Sequence, residues 1–389
     1  MHSGRLIFSQ LMDFIPGHEF DRCVERYAGN YRTRRFSCWD QFLCMAFAQL
    51  TYRESLRDIQ SCLRSVQAKL YHAGFRGRMA RNTLAKANEI RDWRIWADLA
   101  AVLIAKARTL CADMPTGLDV DAKVYAFDST TIDLCLTLFP WAQFRRHKSA
   151  IKLHTLLDLR GNIPCFIHVS EGLMADVRSL DLLLLEAGAF YVFDKGYIDF
   201  ARFYRFSREG AFFVTRAHCD LDYRRQSYRR VDKTTGLRSD QTIMLDGYKS
   251  AKRYPSPLRR ISYYAMDIDK RLVFLTNNFT LEPLTIAQLY RARWQVELFF
   301  KWIKQYLRIK GFYGNSINAV KTQVWIAVCV YLLVAIVKQE LKIDRSMGEI
   351  LQILSICPFE NMPILQAFSH EASQTNIWSD SNHLPLFDF

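Results

Sequence analysis

Two aspartates stand in segments that are otherwise apolar, and they are the first candidates for chemistry. Asp128 lies inside the segment AFDST, and Asp194 ends the segment FYVFD. Moving a carboxylate out of water is costly unless a partner balances its charge. Two such carboxylates on core strands suggest that they share a cation.

A third carboxylate, Glu297, belongs to a predicted helix that also carries basic and phenolic side chains. Tyr290, Arg293, Glu297 and Lys304 fall within an arc of roughly 60° at 3.6 residues per turn, so they share one face. The apolar side chains of this segment fall largely elsewhere and can pack on a sheet. The plainer alternative is a surface helix in which Arg293 and Glu297 form an i,i+4 pair worth about 0.2–0.5 kcal/mol.

The three carboxylates together suit a hard divalent cation, because Mg²⁺ takes oxygen ligands and keeps some of its waters. Two such ions about 3.5–4 Å apart can activate a water or hydroxyl and stabilise the leaving oxygen in phosphodiester cleavage. We therefore expect two Mg²⁺ ions held by Asp128, Asp194 and Glu297, with Mn²⁺ as a substitute. The basic groups on the helix face would hold DNA phosphates.

The bulk composition fits a folded protein with a polyanionic partner. Apolar residues make up 50% of the chain and aromatic residues 14%, which excludes a disordered protein. The formal charge is +14, which indicates nucleic acid or an acidic membrane surface. A bilayer needs about 20 apolar residues, and the run at 324–337 is shorter, so it predicts a buried core helix. The ten scattered cysteines favour a reducing cytosol and a cytoplasmic location.

Residues 1–115 are predicted to form a helical domain. Apolar residues recur at helical spacing over 39–50 and 91–107, and Ser55 with Asp58 three residues later marks a helix start between them. Arginines cluster in this region, which suits a DNA-binding domain; a solvated helical bundle is the alternative. They are Arg32, Arg34, Arg35, Arg76, Arg78 and Arg81.

Residues 116–310 are predicted to form a mixed α/β catalytic domain. Strands are expected at 123–134, 151–159 and 163–172, with a tight turn at 160–162. A helical stretch at 178–187, a strand at 190–194, a helix at 199–208 and a strand at 211–216 follow. After a strand at 272–278, a long helix is expected from about 284 to 308. Residues 311–389 should supply C-terminal helices, one near 319–340, and a polar tail.

A strongly basic region interrupts the predicted α/β pattern at about 216–272. Between 216 and 260 there are twelve Lys or Arg and five Asp, a surplus of seven that is half the surplus of the whole chain. Aromatic and basic residues alternate there, a pattern typical of phosphate contact with base or sugar stacking. For any single residue a solvated β-hairpin is an equal alternative. The candidate DNA contacts are Arg224, Arg225, Arg229 and Arg230.

Three segments resemble the catalytic motifs of DDE transposases: AFDST, VFDKGY and the helix pattern Y-x2-R-x3-E-x6-K. The last resembles the signature of the insertion-sequence-four family. FLTNN before the helix and the stretch at 36–63 are also similar to members of that family, and the similarity runs from about residue 5 to about 340.

The resemblance implies an RNase H-like catalytic core with a mostly β insertion, preceded by a helical domain and followed by C-terminal helices. It also implies cut-and-paste transposition, in which water nicks the end of the element and the freed 3′-hydroxyl attacks the opposite strand to give a hairpin. The hairpin is then reopened and joined to target DNA. By motif match, Tyr290, Arg293 and Lys304 would hold phosphates near the hairpin, and Lys195 in VFDKGY is a further DNA contact.

The residue that would stack on a flipped base departs from the pattern of some relatives, which place a tryptophan just before the strand at 272–278. The matching place here is near Arg271, whose guanidinium can stack on a base. Tyr263 and Tyr264 are alternatives.

Partners and competing functions complete the expectations. We expect double-stranded DNA as partner, a homodimer that pairs two element ends, and a bacterial, nucleoid-associated location. The segment HLPLF at 383–387 loosely resembles the peptide that docks on the replication sliding clamp, although an apolar tail is the favoured interpretation. The alternatives to a transposase are an RNase H-fold nuclease without strand transfer and a catalytically silent DNA-binding protein.

Overall fold

A computed structural model describes residues 4–76, 79–145, 148–306 and 311–368. Within them the chain forms two compact units: residues 4–113, 132–151 and 300–368 in the first, and 114–131 and 152–299 in the second. Arg78 and the segment HLPLF lie outside the described residues.

The first unit is mostly helical, as the apolar spacing of its sequence predicts. Its N-terminal helices are α1 (Ile7–Met12), α2 (Gly17–Arg26), α3 (Cys38–Leu50), α4 (Leu56–Ser65), α5 (Gln67–Leu70), α6 (Arg81–Ile90) and α7 (Arg94–Leu110). Its C-terminal helices are α12 (Ile317–Glu340), α13 (Met347–Ile356) and α14 (Ile364–Phe368). The predicted helix start is confirmed, since the Ser55 hydroxyl accepts a hydrogen bond from the Asp58 amide.

Helix α12 forms the centre of the first unit. Its length and composition would let it cross a membrane, but 89% of its most apolar stretch is buried inside the folded chain. Helix α7 packs along it, and the Trp302 and Tyr331 rings meet edge to face at 4.5 Å. The predicted core helix is therefore confirmed.

A mixed sheet makes up most of the second unit, and residues 132–134, 143–145 and 148–151 of its strands belong to the first. The strands are β1 (Val124–Leu134), β2 (Gln143–Arg145), β3 (Lys148–Asp158), β4 (Ile163–Glu171), β5 (Phe190–Phe193), β6 (Phe212–Arg216), β7 (Tyr223–Arg229), β8 (Leu237–Leu245), β9 (Leu258–Ala265) and β10 (Lys270–Thr276). From β3 the order is β3-β1-β5-β6-β10-β9-β8-β7, and β2 and β4 also pair with β3. Strands β1, β5 and β6 run parallel, and β10 joins β6 antiparallel.

Helices pack against this sheet and form a hydrophobic core with it. Helix α8 (Phe200–Arg208) follows β5, α9 (Tyr248–Arg253) lies between β8 and β9, and α10 (Pro283–Ala292) and α11 (Trp294–Tyr306) follow β10. Aromatic side chains dominate the packing; the Phe203 and Phe213 rings, for example, stack at 4.4 Å. The basic region is not separate from the sheet, because β7, β8 and β9 extend it beyond β10.

Two predicted helices differ from the structure. The stretch at 178–187 is instead a 3-10 helix, Asp176–Leu182; at its end the Leu180 carbonyl accepts from the Leu183 amide with i,i+3 spacing and from the Arg205 guanidinium at 2.7 Å. The long helix at 284–308 is broken at Arg293. There the Arg293 amide bonds to the Tyr290 carbonyl and the Val296 amide to the Arg293 carbonyl, both with i,i+3 spacing.

Candidate active site

The two aspartates follow directly where the pairing of two neighbouring parallel strands ends; Asp128 lies within β1 and Asp194 comes just after β5. Phe127 of β1 pairs with Phe193 of β5, so Asp128 and Asp194 are the next residues along each strand. The parallel register points both strands the same way, and the carboxyl ends of such strands are where α/β sheets carry their ligands. Both aspartates are half-buried, as expected for groups that emerge from a core of aromatic side chains.

Arg293 joins Glu297 to Asp128. One guanidinium nitrogen donates to Asp128 Oδ2 at 3.0 Å, and the other donates to Glu297 Oε1 at 2.5 Å. The Arg293 side chain is 14% exposed, so a cation that desolvated requires these carboxylates as partners. The break between α10 and α11 falls at Arg293, the residue whose side chain forms these ion pairs.

Two tyrosines complete the immediate surroundings of the aspartates. The Tyr290 hydroxyl donates to Asp194 Oδ1 at 3.2 Å, and its ring packs on Phe274 at 5.0 Å. The Tyr197 hydroxyl lies 3.4 Å from Asp128 Oδ1, which also accepts from the Ser129 amide at 2.7 Å. Four polar groups therefore converge on two carboxylates whose strands are otherwise apolar.

The electrostatics of the site are those of crowded negative charge. Burial raises the pKa of Asp128 to about 6, Glu297 and Asp194 add to that rise, and Arg293 opposes it. Burial also raises the pKa of Tyr290 to about 12 and that of Tyr197 above its usual range, so both phenols stay protonated and donate hydrogen bonds. Burial lowers the pKa of Arg293, but its negative neighbours outweigh that effect and the guanidinium stays charged.

The sequence did not predict the polar residues Asp176 and Lys152, which are linked to Asp128 through the neighbouring Ser129. Asp176 accepts a hydrogen bond from the Ser129 hydroxyl at 2.8 Å and forms an ion pair with Lys152 at 3.1 Å. Lys152 also donates to the Met174 carbonyl at 2.9 Å. The serine of AFDST was the available signal, because a hydroxyl next to a buried carboxylate needs a partner of its own.

The oxygen ligands of the site fit a divalent cation. In this structure the carboxylates of Asp128 and Glu297 instead contact the Arg293 guanidinium. Carboxylate oxygens are the ligands that Mg²⁺ prefers. Within the described residues, however, no three His, Cys, Asp or Glu side chains stand close enough to hold a metal ion. Arg293, which contacts two of the three carboxylates, supplies positive charge in this structure.

The other predicted DNA contacts lie at varied places. Lys195 is exposed in a 3-10 turn directly after Asp194, and Lys304 is half-exposed about two turns beyond Glu297 on α11, within the first unit. Arg271 is exposed, and its Nε donates to the Ser262 hydroxyl at 2.8 Å. DNA contact by Lys195, Lys304 and Arg271 therefore stays a prediction.

A small cavity beside Tyr290 distinguishes the two tyrosines that are alternatives for base stacking, because Tyr263 lines it and Tyr264 does not. It has a volume of about 130 Å³ and is lined by Tyr263, Leu272, Phe274 and Tyr290, among other apolar side chains, and by the polar side chains of Asp267, Gln288 and Arg291. Tyr264 points elsewhere, because its hydroxyl bonds to Asp269 and its ring lies against a guanidinium.

The arginines of β7 line the outer edge of the sheet. Among the described residues β7 is the last strand of the sheet and pairs with β8; Arg224, Arg225 and Arg229 lie on it, Arg230 directly follows it, and all four are exposed. Arg229 donates to the Phe279 carbonyl at 2.8 Å. A row of cations on a free strand edge repels other strands and attracts anions.

The parallel strands, the paired aspartates and the arginine-linked glutamate define a carboxylate-centred site on a mixed α/β sheet. Comparison with known proteins identifies the class. Residues 120–333 match the family model described as Transposase DDE domain, and residues 3–76 match a domain of unknown function, DUF4372. The chain belongs to the family of DDE-domain transposases.

Individual relatives agree with this assignment. The chain is 30% identical over 285 residues to "Putative transposase y4zB" of Sinorhizobium fredii, covering 72% of this chain and 78% of the relative. It is 28% identical over 252 residues to "Probable transposase for insertion sequence element IS5377" of Geobacillus stearothermophilus, covering 64% of each. A solved piggyBac transposase synaptic complex with hairpin DNA aligns with a TM-score of 0.47 and 10% identity, over 90% of this chain and 79% of that one.

Proposed function

We propose that this chain is the transposase of a bacterial insertion sequence, of the insertion-sequence-four family, and that it moves the element by cut-and-paste transposition. The observation that carries the proposal is that Asp128 and Asp194 directly follow a residue pair of two adjacent parallel strands, with Glu297 linked to Asp128 through Arg293. The family match, which spans both aspartates and the glutamate, supports the same assignment.

Asp128, Asp194 and Glu297 would hold two Mg²⁺ ions, or Mn²⁺ in their place. Such ions activate the attacking oxygen and neutralise charge on the scissile phosphate. Burial, with the nearby Glu297 and Asp194 carboxylates, raises the pKa of Asp128 to about 6, so the buried negative charge favours a cation beside it. A divalent cation would supply that positive charge, as the donor set requires.

The chain's own residues position the DNA. Arg293 has a planar fork of donors that would bind a phosphate, and the Tyr290 hydroxyl would donate to a neighbouring phosphate oxygen. Lys195 and Lys304 would each add a positive charge that contacts DNA phosphates. The first cleavage leaves a 3′-hydroxyl, and attack of that hydroxyl on the opposite strand would close a hairpin and release the flanking DNA.

Base stacking at the hairpin falls to Tyr263 in this proposal. Its ring lines the cavity that Tyr290 also lines, whereas Arg271 is exposed and bonded to Ser262, and Tyr264 is bonded to Asp269. The aromatic rings in the cavity wall suit the flat face of a base.

The arginines of β7 would hold DNA along the sheet edge, away from the carboxylates. Two copies of the chain would pair the two ends of the element as a homodimer. The protein would act in the bacterial cytoplasm, on the nucleoid, and the C-terminal segment HLPLF is a candidate sliding-clamp contact that lies outside the described residues. A division into domains at 1–115, 116–310 and 311–389 remains part of this proposal.

The test is the product distribution on DNA duplexes that carry the ends of the encoding element, labelled on one strand and incubated with Mg²⁺ or Mn²⁺. Nicks followed by hairpins, and joining to a target plasmid, are expected. Nicks without hairpins or joining would indicate a nuclease of the same fold. Binding without cleavage would indicate a silent DNA-binding protein. Incubation in EDTA is the control and should give no product.

A further inference from the structure

The loop 277–282 joins β10 to α10 and begins with the two asparagines of the segment FLTNN, which the candidate active site does not use. Asn278 is only 2% exposed. Irregular backbone is seldom buried, because its carbonyls need partners that a helix or sheet would otherwise supply. Helix α10 begins at Pro283, so the groups that hold this loop also set where the helix begins.

Arg259 of β9 reaches this loop from inside the sheet. Its side chain is 1% exposed, and its Nη1 donates to the Leu281 carbonyl at 2.6 Å and to the Asn278 carbonyl at 3.4 Å. Its Nε and Nη2 donate to the two carboxylate oxygens of Asp240 on β8, at 2.9 and 2.8 Å. The guanidinium is therefore shared between a buried carboxylate that fixes its plane and carbonyls of the loop.

Two further side chains hold the same loop. The Asn277 amide donates to the Ser207 hydroxyl at 2.9 Å and to the Ala211 carbonyl at 2.8 Å. Arg229 of β7 donates to the Phe279 carbonyl at 2.8 Å. The loop is thus fixed to α8 at its start and to arginines of β7 and β9 farther along.

Helix α10 carries the position of this loop to the candidate active site. Tyr290 lies seven residues after Pro283, which is about 10 Å at a rise of 1.5 Å per residue, and Arg293 follows at the helix break. The Tyr290 hydroxyl is 3.2 Å from Asp194 Oδ1, and Arg293 Nη1 is 3.0 Å from Asp128 Oδ2. A shift of the helix along its axis would change both distances.

We propose that Arg259 and Asp240 are positioning residues, which set the placement of α10 and thereby of Tyr290 and Arg293 beside the two aspartates. Stability alone does not call for this ion pair, because apolar residues of similar size in place of a buried pair are often neutral or stabilising. Apolar side chains cannot donate to the loop carbonyls, whereas the guanidinium does. The inference rests on the proposed function for the reaction that the helix serves.

The test compares variants of the full-length chain that separate positioning from folding. Arg259→Met/Asp240→Leu replaces the pair by apolar residues and removes the donors to the loop. Arg259→Lys keeps a positive charge beside Asp240 but lacks the planar fork that serves a carboxylate and carbonyls together. The matched control is Arg260→Met/Gln241→Leu, the neighbouring cross-strand pair of β8 and β9, in which Arg260 donates to Gln241 Oε1 at 3.3 Å.

Hydrogen–deuterium exchange without DNA or metal measures how firmly the loop and helix are held. Peptides covering 277–293 should exchange about 10- to 100-fold faster in the double variant, because hydrogen bonds from a charged donor are lost, and by a smaller factor in Arg259→Lys. Peptides of β1 and β5, and the control throughout, should keep the parent's rates. If β1 and β5 also exchange faster in the double variant, Arg259→Lys decides. Unchanged exchange at 277–293, or an equal rise in the control, would overturn the proposal.

Single-turnover cleavage of element-end duplexes in Mg²⁺, at saturating DNA, supplies a readout that a merely structural ion pair would not move. Displacement of catalytic groups by about 1 Å costs roughly 100-fold in rate. The double variant should therefore cleave about 100-fold more slowly while its duplex affinity stays at the parent's value, and the control should cleave like the parent. A variant that cleaves at the parent's rate, or that loses affinity alone, would contradict the positioning role.

This proposal and the proposed function fail separately. A parent that never cleaves element ends, with variants that exchange faster only at 277–293, would refute the proposed function and leave the hold on α10 standing. A parent that cleaves and joins, with variants that match it in both rate and exchange, would do the reverse.

Discussion

Replacing Arg293 by glutamine tests the electrostatic description of the site. The change removes the cation between Asp128 and Glu297, whose side chains are 19% and 29% exposed, and leaves two crowded carboxylates without it. Removing one partner of a buried ion pair costs about 3–5 kcal/mol. Because these groups are partly exposed, we expect the lower end, about 3 kcal/mol. The matched control is Arg291→Gln, two residues away, whose ion pair with Asp267 spans 3.6 Å and is well exposed, so it should cost about 0–1 kcal/mol.

Hydrogen–deuterium exchange of peptides covering β1 and β5, in EDTA at pH 7.5, measures this loss locally. A loss of about 3 kcal/mol corresponds to roughly 100-fold faster exchange by opening. The folded-state pKa of Asp128, about 6, lies above its unfolded value, so the folded form gains stability as the pH falls through 6. Because Arg293 opposes the rise, its loss should raise the pKa of Asp128 further, so the variant gains more than the parent from protonation and its defect should shrink at pH 5, after correction for intrinsic exchange. A variant that exchanges no faster than Arg291→Gln, or whose defect is the same at both pH values, would refute this reasoning.

Three further predictions concern the sheet extension and the cavity. Arg224→Gln/Arg230→Gln at the sheet edge should make the salt slope of DNA binding shallower by about 1.8, measured by anisotropy. Gly236→Ala should lower the thermal midpoint more than Gly188→Ala does, because both have positive φ but only at Gly236 would the new Cβ lie 2.8 Å from a backbone oxygen of β9; equal midpoints would contradict this. Tyr263→Ala should reduce hairpin yield while first-strand nicking persists, as read on denaturing gels.

The elements that carry the site were predictable because local patterns specify them. The apolar runs around Asp128 and Asp194 marked β1 and β5, and the mixed helix face marked Tyr290, Arg293 and Glu297. The parallel pairing of the strands then brings Asp128 and Asp194 close together.

Features that depend on distant parts of the chain were not predictable. The break at Arg293 reflects ion pairs to a residue on β1, which periodicity within the helix does not reveal. Near the end of the 3-10 helix, the guanidinium of Arg205, which lies on a later helix, donates a hydrogen bond to the Leu180 carbonyl. Asp176 reaches Ser129 across a long stretch of sequence. The continuation of the sheet through the basic region depends on β10 pairing with β6, a register that composition does not encode.

The central claim is that Asp128, Asp194 and Glu297 form one catalytic centre. The most direct measurement is the single-turnover cleavage rate of element-end duplexes in Mg²⁺ by Glu297→Gln, beside Glu282→Gln, which neutralises an exposed glutamate at the start of α10. DNA affinity is measured on the same samples. The account predicts that Glu297→Gln binds duplex but cleaves only at background, while Glu282→Gln cleaves like the parent. Cleavage by Glu297→Gln at the parent's rate would contradict it.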